Sequence, residues 1–280
     1  MSRDKLGHSL EVLIRPGRTH SAARLRALVD ELRACAAASF EAEAPNYQAL
    51  SGRKEDLERA VIGIARRPDG DLAAFSTCVL LPVEGIGDVF HLGLTCVRPE
   101  DRSAGLTHRL LARTCLTYVL QAKPLGRVWV SNVACVLSSL GNVALHFDDV
   151  HPSPFRAKAP SPEHVRIAEA ISTHFREPVA IDAAAEFDPA TFVMRGSVPG
   201  TVFEKREADQ RYHHRNTHLN TWYSDRMDFT RGDEVVQVGT MSAIGALRHL
   251  VKRTLGLKPR FVPSTPAPAR IEAAARVRGT

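Results

Sequence analysis

The sequence predicts an α/β (α+β) fold, in which a mixed, mostly antiparallel twisted sheet is flanked by helices and carries a C-terminal elaboration. The first observation behind this prediction is a series of apolar runs typical of strands. These runs cover residues 61–67, 72–83, 88–97 and 127–132. The second is Pro68-Asp69-Gly70, a turn signal that predicts an antiparallel hairpin because glycine accepts a positive φ. The third is a helix pattern after Thr107, which predicts a right-handed crossover and hence a mixed sheet.

Three further elements precede this series. Residues 9–15 alternate enough to predict a first strand, which Pro16-Gly17 ends. Residues 19–40 predict one long helix, because their leucines recur at helical spacing. Residues 53–59 predict a short helix.

The C-terminal half is less regular. Residues 148–162 are rich in proline and predict a linker or an ordered surface loop. Helices are predicted at 163–175 and 242–255, and strands at 191–196 and 234–239. We therefore predict one elaborated domain over 1–257, with a core at 60–147, a C-terminal portion at 151–257 and a mobile tail at 258–280. A separate second domain is the alternative.

Composition narrows the class of protein. The 280 residues include five scattered cysteines and carry a formal net charge of +6. The odd, widely spaced cysteines argue against a disulfide framework and against a cysteine-type zinc site, so no metal is predicted. The N-terminus has no apolar stretch of signal-peptide length, and no run is long enough for a transmembrane segment. We expect a cytoplasmic protein. The basic residues are not interleaved with aromatic ones, so nucleic-acid binding is not predicted.

The loop between the strand at 88–97 and the next helix predicts an anion site. N–H groups in the first turn of a helix lack intrahelical partners and favour negative charge. Gly105 lets a ligand approach the backbone, and Arg102 can add charge-assisted bonds. The predicted ligand is a pyrophosphate. Its cradle consists of Arg102, Ser103, Ala104, Gly105, Leu106 and Thr107.

This loop resembles the (Arg/Gln)-x-x-Gly-x-(Gly/Ala) loop of the GCN5-related N-acetyltransferases, the GNAT superfamily. Val97-Arg98-Pro99-Glu100 is similar to that family's strand exit, and residues 127–132 are similar to its next strand, which ends in Ser-Asn. The resemblance covers about residues 60–147. It implies binding of acetyl-CoA or another acyl-CoA, with the pyrophosphate on the loop. It also implies that the pantetheine arm lies along the strand that contains Leu94, Cys96 and Val97.

The chain departs from the family pattern at two positions. Thr107 stands where glycine or alanine is usual. Ser139 stands seven residues after Asn132, where the family often has a tyrosine that protonates the leaving thiolate. A serine hydroxyl is a much weaker acid than a phenol. The second departure bears on catalysis and not on CoA binding.

Two more residues are candidates for the chemistry. His91 lies where the resembled family often has a general base, and strand alternation predicts that it shares a face with Gly93, Thr95 and Val97. Its alternative role is that of a structural histidine at the rim of the sheet. Asn132 is predicted to bond the pantetheine or substrate, or to cap a helix that begins near Val133.

The polar stretch at 204–226 predicts acceptor recognition, since long polar loops often carry function. Tyr223, Asp225 and Asp228 are predicted to line a pocket for a cationic amine. His214 and His218 have a spacing that could hold a metal, but a polar loop is the favoured interpretation. The helix at 242–255 is basic and amphipathic; it either packs on the sheet or meets an anionic membrane surface or an acidic carrier protein.

The predicted function is therefore transfer of an acetyl or longer acyl group from acyl-CoA to the amine of a small molecule. An acyl carrier protein is an alternative acyl donor, and a homodimer is compatible with the sequence. A GNAT-like protein that binds or regulates without catalysis is the competing hypothesis.

Overall fold

The structure is a computed structural model that describes residues 2–3, 7–40, 42–102, 105–156, 158–254 and 261. It shows a mixed α/β fold with a mostly antiparallel sheet flanked by helices, as the sequence predicts. The chain divides into two compact units. The first unit comprises Met1–Val130 and Met241–Ile244, and the second comprises Ser131–Thr240 and Gly245–Thr280. The predicted boundaries at 151 and 258 stay a prediction, and residues 258–260 and 262–280 lie outside the described residues.

The first unit contains five complete strands and four helices among its described residues. The strands are β1 (Ser2–Arg3), β2 (Ser9–Ile14), β3 (Ala60–Arg66), β4 (Leu72–Val83) and β5 (Gly87–Val97). The helices are α1 (Pro16–Thr19), α2 (Ala22–Phe40), α3 (Lys54–Leu57) and α4 (Leu106–Ala122), with a 3-10 turn at Gln48–Ser51. The long helix predicted at 19–40 is α2, which begins three residues later because His20 adopts an extended conformation after α1.

The strands of this unit pair in sequence order, each antiparallel to the next. One face of the sheet packs against α2, where Leu32, Ile62 and Phe75 belong to one buried cluster. The other face packs against α4, where Ala74 and Leu110 belong to another. The predicted sheet with helices on both sides is therefore built from the alternating apolar residues of β3 and β4.

A bulge in β5 interrupts its alternation. Ser76 pairs with Thr95 and Cys78 pairs with Leu92, so two residues of β5 lie opposite the single residue Thr77. The extra residue reverses which side chains point to which face beyond this point. This bulge could not be read from an apolar run, because apolar side chains are accepted on both faces of a sheet that is covered on both sides.

The second unit contains shorter strands. The strand β6 (Val128–Ala134) begins in the first unit and ends in the second. The remaining strands are β7 (Asp148–His151), β8 (Glu186–Asp188), β9 (Val193–Arg195) and β10 (Glu234–Met241). The helices are α5 (Leu137–His146), α6 (Pro162–His174), α7 (Thr217–Ser224) and α8 (Ala243–Thr254). The strand β10 pairs antiparallel with β7 and with β9, and β9 pairs with β8.

The core of the second unit forms around α5 and α7. Leu140, Leu219, Tyr223 and Val235 are completely buried in one cluster. The helix α7 lies within the stretch 204–226 that was expected to be a polar loop, and β7 lies within the predicted proline-rich linker. Among the described residues, no helix combines the length and apolar character needed to cross a membrane.

Candidate functional site

The predicted anion site lies at the start of α4 in the first unit. Gly105 is the N-cap of α4 and has a φ of 67°, a left-handed conformation that favours glycine. A Cβ atom built on Gly105 would have no neighbour within 4 Å, so the space beside its backbone is open. The first turn of α4 contains no acidic residue. The helix start therefore has the open approach and the positive end of the helix dipole that a phosphate requires.

The residues of the cradle differ in their surroundings. Leu106 is buried in the cluster below α4, whereas Thr107 is exposed. The guanidinium of Arg102 donates to the backbone oxygen of Ser39, near the end of α2, at 2.8 Å. Ser103 and Ala104 lie outside the described residues. Among the described residues of the cradle, Arg102, Gly105 and Thr107 are exposed.

Arg67 pairs with the two acidic residues that precede the cradle. Its guanidinium donates to Asp101 at 2.5 Å and to Glu100 at 2.7 Å. Burial alone would raise the pKa of Asp101, but hydrogen bonds from Arg67 and His8 outweigh it and lower the pKa. Because both carboxylates are paired, they repel an anion at the start of α4 less than free carboxylates would.

His91 is in β5 and is 1% exposed. It pairs with Val79 on the face that packs against α2. Because the bulge reverses the alternation, His91 shares this face with Gly93, Leu94 and Cys96. The prediction that it shares a face with Thr95 and Val97 was wrong. Both of those residues lie on the α4 face, where Val97 packs against Leu106 and Leu110.

Burial also changes the chemistry of His91. It lowers the pKa of the imidazole to about 3, since a charged ring would lose its hydration. The ring is therefore neutral at ordinary pH, as a base must be, but it holds a proton weakly. A catalytic role for His91 stays a prediction.

The strand residues predicted to bind the cofactor divide between the two faces of β5. Cys96 is buried, and burial raises the pKa of its thiol to about 12. The backbone oxygen of Val97 accepts a hydrogen bond from the hydroxyl of Ser39 at 2.8 Å. Leu94 is partly buried against the α2 cluster. Contact of these residues with pantetheine stays a prediction.

Asn132 lies in the second unit, inside β6 rather than at a helix start. The next helix, α5, begins at Leu137 and its N-cap is Val136, so the prediction of a helix capped by Asn132 was wrong. The Asn132 amide donates to the side-chain oxygen of Gln237 in β10 at 3.1 Å. The strand continues past Asn132 to Ala134, and β6 and β10 are neighbours in the sheet.

Gln237 connects Asn132 to Tyr223. Its amide nitrogen donates to the Tyr223 hydroxyl at 2.7 Å and to the backbone oxygen of Leu140 at 3.2 Å. The Tyr223 hydroxyl in turn donates to the backbone oxygen of Pro152 at 3.2 Å. Tyr223 is completely buried, and this burial raises the pKa of its phenol. Sequence reasoning missed Gln237, because no local pattern indicates a glutamine that bonds 105 residues away.

The other predicted site residues of the second unit have more local surroundings. Ser139 is half-buried in the first turn of α5. Asp225 is exposed at the end of α7. Asp228 is exposed and caps a turn, since its carboxylate accepts from the hydroxyl of Thr230 at 2.6 Å and from the backbone N–H of Thr230 at 2.9 Å. The hydroxyl of Thr230 is the main cause that lowers the pKa of Asp228. Their roles toward a substrate stay predictions.

His214 and His218, the two histidines with metal-ligand spacing, have different interaction partners. His214 accepts from the backbone of Asn216 through Nδ1 at 2.9 Å, whereas the ring of His218 packs against Phe261. Within the described part of the chain, no group of three or more histidine, cysteine or acidic residues could hold a metal ion.

The stretch before α7 contains a shallow pocket with a volume of about 250 Å³. Its lining residues are Glu204, Lys205, Arg206, Asp209, Arg211 and Tyr212. The Lys205 ammonium lies 5.0 Å from the ring centre of Tyr212, and Arg211 pairs with Asp209 at 2.6 Å. Charged groups of both signs therefore face this pocket.

The basic helix predicted at 242–255 is α8. Arg248 and His249 both contact Asp148, and these contacts lower its pKa, His249 being the main cause. Ile244 and Leu247 are 72% and 61% exposed. A membrane surface or an acidic carrier protein as the partner of this helix stays a prediction.

No protein-family model and no curated protein matches the chain. Solved structures of acetyltransferases are similar to part of it. A GNAT-family N-acetyltransferase from Escherichia coli in complex with CoA is 16% identical, with 48% of this chain and 66% of that chain covered and a TM-score of 0.34. An acetyltransferase from Trypanosoma brucei is 20% identical, with 40% and 74% covered and a TM-score of 0.28.

An aminoglycoside acetyltransferase from an uncultured soil metagenomic sample, in complex with sisomicin, is 14% identical, with 41% of this chain and 71% of that chain covered and a TM-score of 0.31. The chain is thus similar to these solved acetyltransferase structures over less than half of its length, at low identity and with TM-scores of 0.28 to 0.34. Similarity at this level leaves the chemistry to be argued from the chain's own residues.

Proposed function

We propose that this protein transfers an acyl group from acyl-CoA to the amine of a small molecule. The observation that carries the proposal is the start of α4, where Gly105 in a left-handed conformation leaves the backbone open and the first turn contains no acid. Arg67 pairs with the two carboxylates that precede this turn and offsets part of their negative charge. These features suit the pyrophosphate of CoA.

In this proposal the pantetheine arm pairs with the backbone of β5 along residues 94–97. The amine attacks the thioester directly, and much of the rate comes from holding the two groups in position. A proton has to leave the amine. His91 is the proposed acceptor, and its low pKa makes it a weak base, so an amine that arrives as a cation has to lose its first proton to solvent before it attacks.

The remaining assignments belong to the second unit. Asn132 is proposed to bond pantetheine or substrate, and Ser139 stands where a stronger acid would protonate the thiolate. Asp225 and Asp228 are proposed to attract a cationic amine, with Tyr223 supporting them from the core. The donor is acetyl-CoA or another acyl-CoA, with an acyl carrier protein as an alternative. A cytoplasmic location and a homodimer stay predictions.

A CoA-binding protein without catalysis is the second candidate. It is favoured by the burial of His91 and by the serine at position 139. Both observations argue against acid–base catalysis. Neither affects the start of α4, where CoA is proposed to bind.

Calorimetry with CoA tests the binding half of the proposal. Gly105→Ala should weaken binding about tenfold, or about 1.4 kcal/mol, because a methyl group would occupy the open approach and strain the backbone. Gly87→Ala is the matched control. Gly87 also has a positive φ, at 93°, and open space around its Cβ position, but it lies at the other end of β5. Equal losses in both variants, or no CoA binding to the folded wild type, would contradict the assignment of the loop.

Turnover with a panel of amines separates the two candidates. The enzyme should cleave acetyl-CoA faster with at least one amine than with water alone. Rates at the level of hydrolysis for every amine, in a protein that binds CoA, would favour the non-catalytic candidate.

A further inference from the structure

A buried polar cluster lies in the first unit, on the face of the sheet that packs against α2. The Thr77 hydroxyl donates to the side-chain oxygen of Gln48 at 2.9 Å, and the Gln48 amide donates to the Tyr47 hydroxyl at 2.8 Å. All three residues are at least 92% buried. Thr77 is the residue opposite the bulge of β5, so the cluster lies at that bulge.

Gln48 fills the space that a glycine leaves at the bulge. A Cβ atom built on Gly93 would lie 2.1 Å from the side-chain oxygen of Gln48 and 2.7 Å from the backbone oxygen of Thr77. Any larger residue at position 93 would therefore collide with both. The glutamine side chain and the glycine backbone are in direct contact.

The backbone of Gln48 is strained. Its φ is 47°, in the left-handed region that glycine and asparagine adopt far more readily than glutamine does. The residue begins the 3-10 turn Gln48–Ser51, outside any regular helix. Strain of this kind persists where the surroundings impose it, and it is concentrated at binding and catalytic sites.

On the opposite face of the same sheet, the space beside another glycine is filled by a residue whose backbone is not strained. A Cβ atom on Gly63 would lie 2.1 Å from the hydroxyl of Thr114. That hydroxyl lies 3.3 Å from Ser76, the neighbour of Thr77 in β4, and donates to Leu110 within α4. Thr114 thus places a polar side chain beside Gly63 from within the regular helix α4, and its own backbone keeps the ordinary helical φ.

The Gln48 side chain lies beside Gly93 of β5. If the proposed function holds, this place gives the side chain a specific role toward the acyl group. With the pyrophosphate at Gly105 and pantetheine along residues 97 to 94, the thioester comes to lie near Gly93. The strand from 98 to 93 spans roughly 16 Å, comparable to an extended pantetheine arm. We infer that the Gln48 side chain against Gly93 limits the length of the acyl group that the protein accepts. A chain longer than acetyl would need the volume that Gln48 fills.

Substitutions that shorten this side chain should open that volume in steps. Gln48→Asn keeps the amide and suits the left-handed φ, and Gln48→Gly removes the side chain and relieves the strain. The measurement is the calorimetric Kd of acetyl-CoA and of hexanoyl-CoA for each folded protein. The wild type should bind hexanoyl-CoA at least about tenfold more weakly than acetyl-CoA, since a full pocket rejects added methylene groups by about this factor. The ratio should fall stepwise from Gln to Asn to Gly.

Thr114→Ala is the matched control. It removes a buried hydroxyl that fills the space beside a glycine on the other face of the sheet, and it should leave the ratio of the two Kd values unchanged. A melting curve for each variant identifies loss of fold, and Gln48→Asn decides the outcome if Gln48→Gly does not fold.

The results separate this inference from the proposed function. Equal ratios in wild type and both Gln48 variants, with CoA still bound, would overturn the inference alone. A wild type that binds both acyl-CoA esters equally well would also overturn it. Absence of CoA binding to the folded wild type would overturn the inference together with the proposed function.

Discussion

Individual residues of the first unit show what a sequence can and cannot predict. Gly105 was predictable as the open position of the loop, because glycine is the residue that left-handed backbone favours. Gln48 was not, since a glutamine with a φ of 47° has no signature in sequence. His91 was found as a candidate, but its burial depends on the packing of α2 against β5, which no local pattern contains.

His91 should make stability depend on pH. Its pKa in the folded protein is about 3, below that of a histidine in an unfolded chain, so unfolded molecules bind more protons between these two values. The free energy of unfolding should therefore fall as the pH is lowered from about 6.5 towards 3. His91→Gln should reduce this dependence, which urea unfolding at a series of pH values would measure. His151 and His164 also have lowered pKa values, but they are present in both proteins and cancel in the difference. Parallel curves would contradict the assignment.

Secondary-structure elements were predicted best where the apolar residues kept one regular spacing over many residues. The bounds of β4 agree with the prediction, and those of β5 and α6 differ from it by one residue at one or both ends. The short strands β7 and β8 were missed, because three or four residues carry no recognisable alternation and they form only through pairing with β10 and β9. The extension of β6 past Asn132 likewise depends on a distant strand, since β10 is its neighbour in the sheet.

The hydrogen-bond network centred on Gln237 should stabilise the elements that it joins. Tyr223→Phe removes a buried hydroxyl and leaves the backbone oxygen of Pro152 and one donor of Gln237 without their partner. We expect a loss of about 1–3 kcal/mol in the free energy of unfolding. Tyr212→Phe is the control, because Tyr212 is only partly buried at the surface pocket. A Tyr223→Phe protein as stable as the control variant in urea unfolding would contradict the network.

The whole molecule divides where composition gives no sign of a boundary. The first unit ends at Val130, inside the apolar strand β6, and it includes Met241–Ile244 from the far end of the chain. Sequence reasoning looked for a boundary in the proline-rich stretch at 148–162, where linkers are common. A strand shared between units has no such signature, because its residues are as apolar as those of any other strand.

Phe261 should contribute to stability through its aromatic contacts. The ring of Phe261 lies 4.9 Å from that of Phe155 and 5.7 Å from that of His218. Phe261→Ala should therefore lower the free energy of unfolding by about 0.5–1.5 kcal/mol. Urea unfolding of the variant and of the wild type tests this. Equal stability of the two proteins would show that these aromatic contacts contribute nothing.

The bulge in β5 has a consequence for how this strand tolerates change. A saturation scan of residues 88–97 should show poor tolerance to polar substitutions on both faces, since Val89, Phe90, Leu92 and Cys96 are all buried. Deleting Gly93 or Leu94 would remove the bulge and restore regular alternation, with Val89, His91 and Cys96 all remaining on the α2 face. A single-residue deletion elsewhere in the strand should be more damaging, because it would turn one part of β5 inside out relative to the rest.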